Sequence, residues 1–193
     1  MQEQKKREAY RCLVIITDSH IRERLCEFLA DSHIPVYYQM HGIGTASSEW
    51  LELCGLGSIQ KSITLCFIPN ERKKILLAEM NQALSLHKKG TGIAVSIPMN
   101  GMQGFLYKLL NEHTAESDRD DVEKEVKKMS ETITHAMILV TINQGYSDAV
   151  MNTARAAGAT GGTILKGLRC SPGKSAVIFG ITIQEEQEIV AIV

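Results

Sequence analysis

Glycines set beside lysines are the residues of this chain best placed to do chemistry. Gly42 and Gly44 follow an apolar extended run, with Thr45 next to them. Lys88, Lys89, Gly90 and Gly92 precede another such run, and Thr163, Lys166, Gly167 and Arg169 fall together later in the chain. Glycine lets backbone N–H groups come close to a bound oxygen, and a neighbouring cation supplies charge, a combination that suits a phosphate or a similar small anion. Each residue also has a plainer use. Glycines mark bends and bulges in strands, Gly90 and Gly92 can stop a helix and turn the chain, and Lys88 and Lys89 suit a helix C-terminus. Arg169 and Lys174 flank a Pro-Gly turn and read equally well as surface charge.

Catalytic and metal patterns are missing. The six histidines are scattered, with no His-x-x-x-His and no Cys-x-x-Cys, so no metal site is expected. Ser147 beside Asp148 makes a better helix cap than a nucleophile. No Gly-x-Ser-x-Gly, Walker or dinucleotide fingerprint occurs, so an enzyme is not expected. Of the five cysteines, Cys12, Cys26 and Cys66 fall on predicted strands or helices and read as buried thiols. Cys54 and Cys170 each lie in the loop after the second strand of a repeated unit, a shared position that would suit redox sensing or metal capture but reads better as coincidence.

Charge and composition narrow the partners. With 21 basic and 22 acidic residues, 44% hydrophobic residues and 5% aromatics, the 193-residue chain favours neither nucleic acid nor membrane. Residues 1–11 are charged and lack an apolar signal core, so a cytoplasmic protein is expected. A small-molecule effector and a regulated protein remain as partners.

The elements that would position these residues come in two similar sets. Leu13-Val-Ile-Ile-Thr17 returns as Met137-Ile-Leu-Val-Thr141, each followed by an amphipathic helix and a glycine-containing extended run. Lys61-Ser62 and Lys174-Ser175 then open further strands. A repeat this long means duplicated domains rather than a stacked array. In the first set the order reads β-α-β-β-α-β, a ferredoxin-like unit. Its second strand is placed from about Val36 to Met40, and its second helix carries Leu76, Met80, Ala83 and Leu84. The expectation is an α+β chain of two tandem ferredoxin-like modules, at 1–99 and 136–193, joined by a helical linker at 100–135. In the second module, strands are placed at 163–165 and 176–182 and a final helix from near Gln184, leaving its fourth strand absent. Trp50, Leu51 and Leu53 form an apolar patch, either packed under its loop or kept for a partner.

Gly42-Ile-Gly-Thr45 and Gly90-Thr-Gly-Ile-Ala-Val-Ser-Ile-Pro98 resemble motifs of the nitrogen-regulatory P-II signalling proteins. The passage from Ala154 to Gly167 is similar to the family's helix-to-strand step. The resemblance implies modules in a trimer-like assembly, an adenine nucleotide such as ATP or ADP held between modules, and signalling through the loop after strand two. It implies effector contacts at Gly42, Gly44, Thr45, Lys88, Lys89, Gly90, Gly92, Thr163, Lys166, Gly167 and Arg169. The chain departs from the family at Ile93, where a lysine is usual, and in a loop of about Thr45 to Gln60 that lacks a tyrosine. In the second module that loop shrinks to about Cys170 to Gly173. Two alternatives stand beside this one: a divalent-cation tolerance type of metal-binding protein, and an oligomeric scaffold without a ligand.

Overall fold

Strand β1 (Tyr10–Asp18) is apolar without interruption from Cys12 to Ile16 because both of its faces are covered. The computed structural model describes residues 9–44, 60–88, 91–112, 136–171, 177–178, 181–182 and 185–193. After β1 come a 3-10 turn (Ser19–Ile21), α1 (Arg22–Asp31), β2 (Tyr37–Ile43), β3 (Gln60–Pro69), α2 (Lys73–Leu84) and β4 (Gly92–Pro98). Then follow α3 (Gly104–Glu112), β5 (Ile138–Asn143), α4 (Ser147–Ala156) and β6 (Gly162–Cys170). The short strands β7 (Val177–Ile178) and β8 (Ile181–Thr182) pair with each other, and β9 (Glu186–Ile192) comes last.

Seven strands form one antiparallel sheet in the order β4-β1-β3-β2-β6-β9-β5. The chain is thus α+β, and the order β4-β1-β3-β2 is consistent with a ferredoxin-like fold. Leu13 and Ile15 pack under α1 and α2 with Leu25, Leu29, Leu76 and Met80. On the opposite face Tyr10, Cys12, Tyr38, Phe67 and Ile189 pack under Leu109 and Leu110 of α3. Helix α3, at the start of the expected 100–135 linker, therefore roofs the sheet, and residues 113–135 of that linker lie outside the described residues. Val190 and Ile192, which alternate with Ile189, pack with Met151 of α4, so α4 lies on the α1 face.

Three features correct the sequence reading. The predicted final helix is strand β9, central in the second half of the sheet between β6 and β5. Its Glu-Glu-Gln-Glu opening imitates a helix N-terminus, while Ile189 and Val190, both fully buried, are apolar toward opposite faces and leave no helical period. Consequently, among the described residues the main sheet resumes at Glu186 rather than after Cys170 to Gly173, and Cys170 itself ends β6. The second correction is one of register. Laying the β1–β3–β2 ladder on the β5–β9–β6 ladder, with α1 and α4 in step, sets Leu13 on Ile138 and Gly42 on Gly167. The sequence match of Leu13 with Met137 is off by one, and such a slip sends every side chain to the wrong face. Thr17 alternates with Leu13 and Ile15 beneath α1, whereas Thr141 accepts the Tyr38 hydroxyl at 3.3 Å on the α3 face. Third, α2 ends at Leu84 with Ser85 in the left-handed region (φ 55°), well before Gly90, and Ala83 faces solvent.

Candidate functional site

One end of the first half gathers glycines and charges from four strands. Gly92 opens β4 opposite Thr17; Asp18 pairs with Lys61 at the start of β3; Lys61 in turn faces Gly42 in β2. Strand β2 extends through Ile43, past the predicted Met40, because Lys61 and Gln60 keep pairing with it. Gly42 is therefore a strand residue and Gly44 the first beyond it. Lys61 Nζ is ion-paired with the Asp18 carboxylate, which neutralises the acid that would otherwise repel an anion here. Neither Asp18 nor Ser19 caps the following helical turn through its side chain.

Gly92 has a reason to be glycine. Its φ is +155°, and a Cβ there would stand 2.5 Å from the Ile16 carbonyl oxygen and 2.9 Å from Thr17 Cγ2. Thr91 holds the approach to this strand: its N–H and hydroxyl donate to the Lys88 carbonyl at 3.3 and 3.0 Å, and its own carbonyl accepts the Asp18 N–H at 3.4 Å. Lys88, exposed beyond Ser85, brings a cation to the same end. Thr45, Lys89 and Gly90 lie outside the described residues, as do Trp50, Cys54 and most of the segment joining β2 to β3.

The second set of expected site residues sits differently. Thr163, Lys166, Gly167 and Arg169 are all inside β6, and Gly167 is not at a turn. Gly167 pairs with Met40 on one side and Gln187 on the other. A Cβ on it would reach 2.6 Å from the Gln39 carbonyl oxygen, so the glycine serves the close approach of β2 and β6. Lys166 is paired in register with Glu188 and alternates with Leu165, which leaves its side chain on the α1 face, opposite to the side Gly42 would present. Thr163 faces Ala191 in mid-sheet. Arg169 is 8% exposed and pairs with Tyr38. Burial lowers its guanidinium pKa, opposed by Tyr38 and the Glu185 carboxylate. The structure thus brings Gly42, Gly44, Lys88 and Gly92 to one end of the sheet and spreads the β6 residues along a strand.

Two features were not legible in the chain. An open cleft of about 840 Å³ runs along β5 and is lined by Phe105, Leu106 and Leu109 of α3 and by Val150 and Ala154 of α4. Tyr38, Arg169 and Gln187 also line it, and Gln187 Nε2–H donates to Asn143 Oδ1 at 2.8 Å. Among the described residues no strand pairs with the far edge of β5. The cleft is built from segments distant in sequence, and no local pattern could announce it. The other feature is Glu188, 4% exposed, whose carboxylate accepts the N–H groups of Gly145 and Ser147 at 3.2 and 3.3 Å. It satisfies the start of α4, the role expected of Ser147 and Asp148. Because β9 reads as a helix, nothing in the sequence points to Glu188 for this role. Among the described residues no group of three or more His, Cys, Asp and Glu side chains is placed to hold a metal ion. No described helix is long and apolar enough to cross a membrane.

No family model matches the chain, and no curated protein does. Among solved structures it is similar to a Bacillus cereus protein related to NIF3, at 14% identity and a TM-score of 0.37, over 49% of this chain and 26% of that one. It is similar to the divalent ion tolerance protein CutA1 from Ehrlichia chaffeensis, at 10% identity and a TM-score of 0.41, over 57% of this chain and 99% of the other. A functionally unknown protein from Pediococcus pentosaceus matches 50% of this chain and 97% of its own at 10% identity, with a TM-score of 0.34. At these identities and scores the likenesses decide nothing about activity.

Proposed function

We propose that the chain is a P-II-like regulator built from two ferredoxin-like modules in tandem, non-enzymatic, which binds a small anionic effector, an adenine nucleotide, at the glycine-rich end of its first module. The observation that supports this reading is the row Gly92, Thr17, Asp18, Lys61 and Gly42 across four adjacent strands, with Lys88 beside it. At strand ends, backbone N–H groups that have run out of ladder partners can turn to an anion, and glycine keeps side chains out of their way. The effector state is then passed to a partner protein through the segment that joins β2 to β3, and the modules assemble with further copies of the chain in a trimer-like ring. The second module, with β6 glycines committed to strand packing, acts as a structural companion.

Isothermal titration with ATP, ADP, AMP and cyclic AMP, each with and without magnesium, tests the reading. Micromolar binding that weakens about tenfold or more in Lys88→Ala, with the variant's circular dichroism unchanged, is the expected outcome. No heat with any of the four nucleotides removes the adenine-nucleotide effector.

A further inference from the structure

We propose that Cys26 and Cys170 form a dithiol that closes to a disulfide on oxidation and staples α1 in the first half of the chain to β6 in the second. The two residues come from opposite ends of the sequence, yet one side chain touches both. Gln39 Nε2–H donates to Cys26 Sγ at 3.2 Å, and Cys170 Sγ–H donates to Gln39 Oε1 at 3.8 Å. Arg22 Nε–H donates to the same oxygen at 3.0 Å, which settles which end of the amide meets which sulfur. Tyr37, the register partner of Cys170, packs in the same cluster as both cysteines. Both cysteines pack against the core beneath α1 and both are only partly buried, so a small oxidant can reach them. The buried thiols differ: desolvation pushes Cys12 up to about 11 and Cys66 higher still, which keeps both protonated and inert.

The amide divides the roles. Cys26 sulfur accepts the amide N–H, whereas Cys170 donates its S–H to the amide oxygen, so Cys26 is assigned the first attack. Burial and a carbonyl acceptor hold Cys170 as the thiol, and its pKa is raised. With hydrogen peroxide as the oxidant, the Cys26 thiolate attacks one peroxide oxygen and the O–O bond breaks. This gives a sulfenic acid, and the hydroxide released takes up the Cys26 proton as water. The Cys170 sulfur then attacks the Cys26 sulfur, the S–O bond breaks, and the departing hydroxide leaves with the Cys170 proton as a second water. Two thiols have lost two electrons to peroxide, and one S–S bond has formed. The bond closes across the β2–β6 seam, the ladder that joins the two halves of the sheet.

The full chain, treated with hydrogen peroxide under native conditions and digested without reductant, should yield one linked peptide pair containing Cys26 and Cys170. Mass spectrometry should show that pair vanish with dithiothreitol and in both Cys26→Ser and Cys170→Ser. A link between other cysteines, or sulfinic acid at Cys26 with no link, overturns the proposal. If a serine variant fails to fold, iodoacetamide footprinting of the unaltered protein before and after peroxide separates the same outcomes. Joint loss of alkylation at Cys26 and Cys170 supports the pair, and loss at any other set of cysteines overturns it.

Discussion

The two halves of the sheet carry strands of similar composition and treat them differently. Leu13 in β1 is fully buried, while Ile138, at the same ladder position in β5, is 59% exposed. The residues are equally apolar, so the difference comes from their neighbours. Strand β1 has β4 along its outer edge and α2 beside α1 above it, whereas among the described residues the outer edge of β5 is open and α4 is the one helix on that face of its half. A second contrast lies at the helix starts. In the second half Glu188 satisfies the first N–H groups of α4; in the first half the matching position on β3 is Ser62, and the 3-10 turn with buried Ile21 leads into α1. Apolar identity therefore tells which residues can be buried, and the number of packed elements decides which of them are.

That comparison can be broken most sharply at the matched pair. Leu13→Ala should cost about 2–5 kcal/mol, while Ile138→Ala should stay within about 0.5 kcal/mol, both read from denaturant midpoints. Equal losses would mean that β5 is covered in solution by something beyond the described residues. Next in size, Gly167→Ala should destabilise by about 1–3 kcal/mol, because its Cβ meets main-chain oxygen across the seam. Gly42→Ala should cost less, since its Cβ meets only the flexible end of Ile63 at 3.0 Å, and similar losses for the two glycines would contradict a tight β2–β6 approach. Smaller again, Glu188→Ala should cost about 1–2 kcal/mol through the uncapped α4, and faster hydrogen exchange at Gly145 and Ser147 should accompany it. Unchanged exchange there would show that the carboxylate is not what holds those N–H groups. Smallest, Ser147→Ala should shift stability by no more than about 0.5 kcal/mol, because its backbone N–H, not its hydroxyl, makes the contact with Glu188.

Local pattern makes the first half legible. The run from Leu13, the helical spacing of Leu25, Leu29, Leu76 and Met80, and the strand entering at Gly92 all recur in the fold, because each element's apolar period matches the face it buries. The end that gathers Gly42, Gly44, Lys88 and Gly92 is visible as residues, though not as an assembly. Two signals mislead. The acidic opening of β9 imitates a helix start, and a strand apolar on both faces offers no period to contradict it. The repeat aligns one residue out, since two apolar runs slide past each other without penalty in sequence but not on a pleated ladder.

By itself the sequence determined the kinds of element in the first half, the apolar stock of the core, the near-neutral charge and the glycines that a close approach or a turn demands. The tertiary structure alone decided the rest: which face each strand residue takes, that Glu188 serves α4, that Cys26 and Cys170 meet on Gln39, and that α3 roofs the sheet. Those outcomes depend on pairing between segments far apart in the chain. Register and burial are properties of the assembled sheet, and no single stretch of residues carries them.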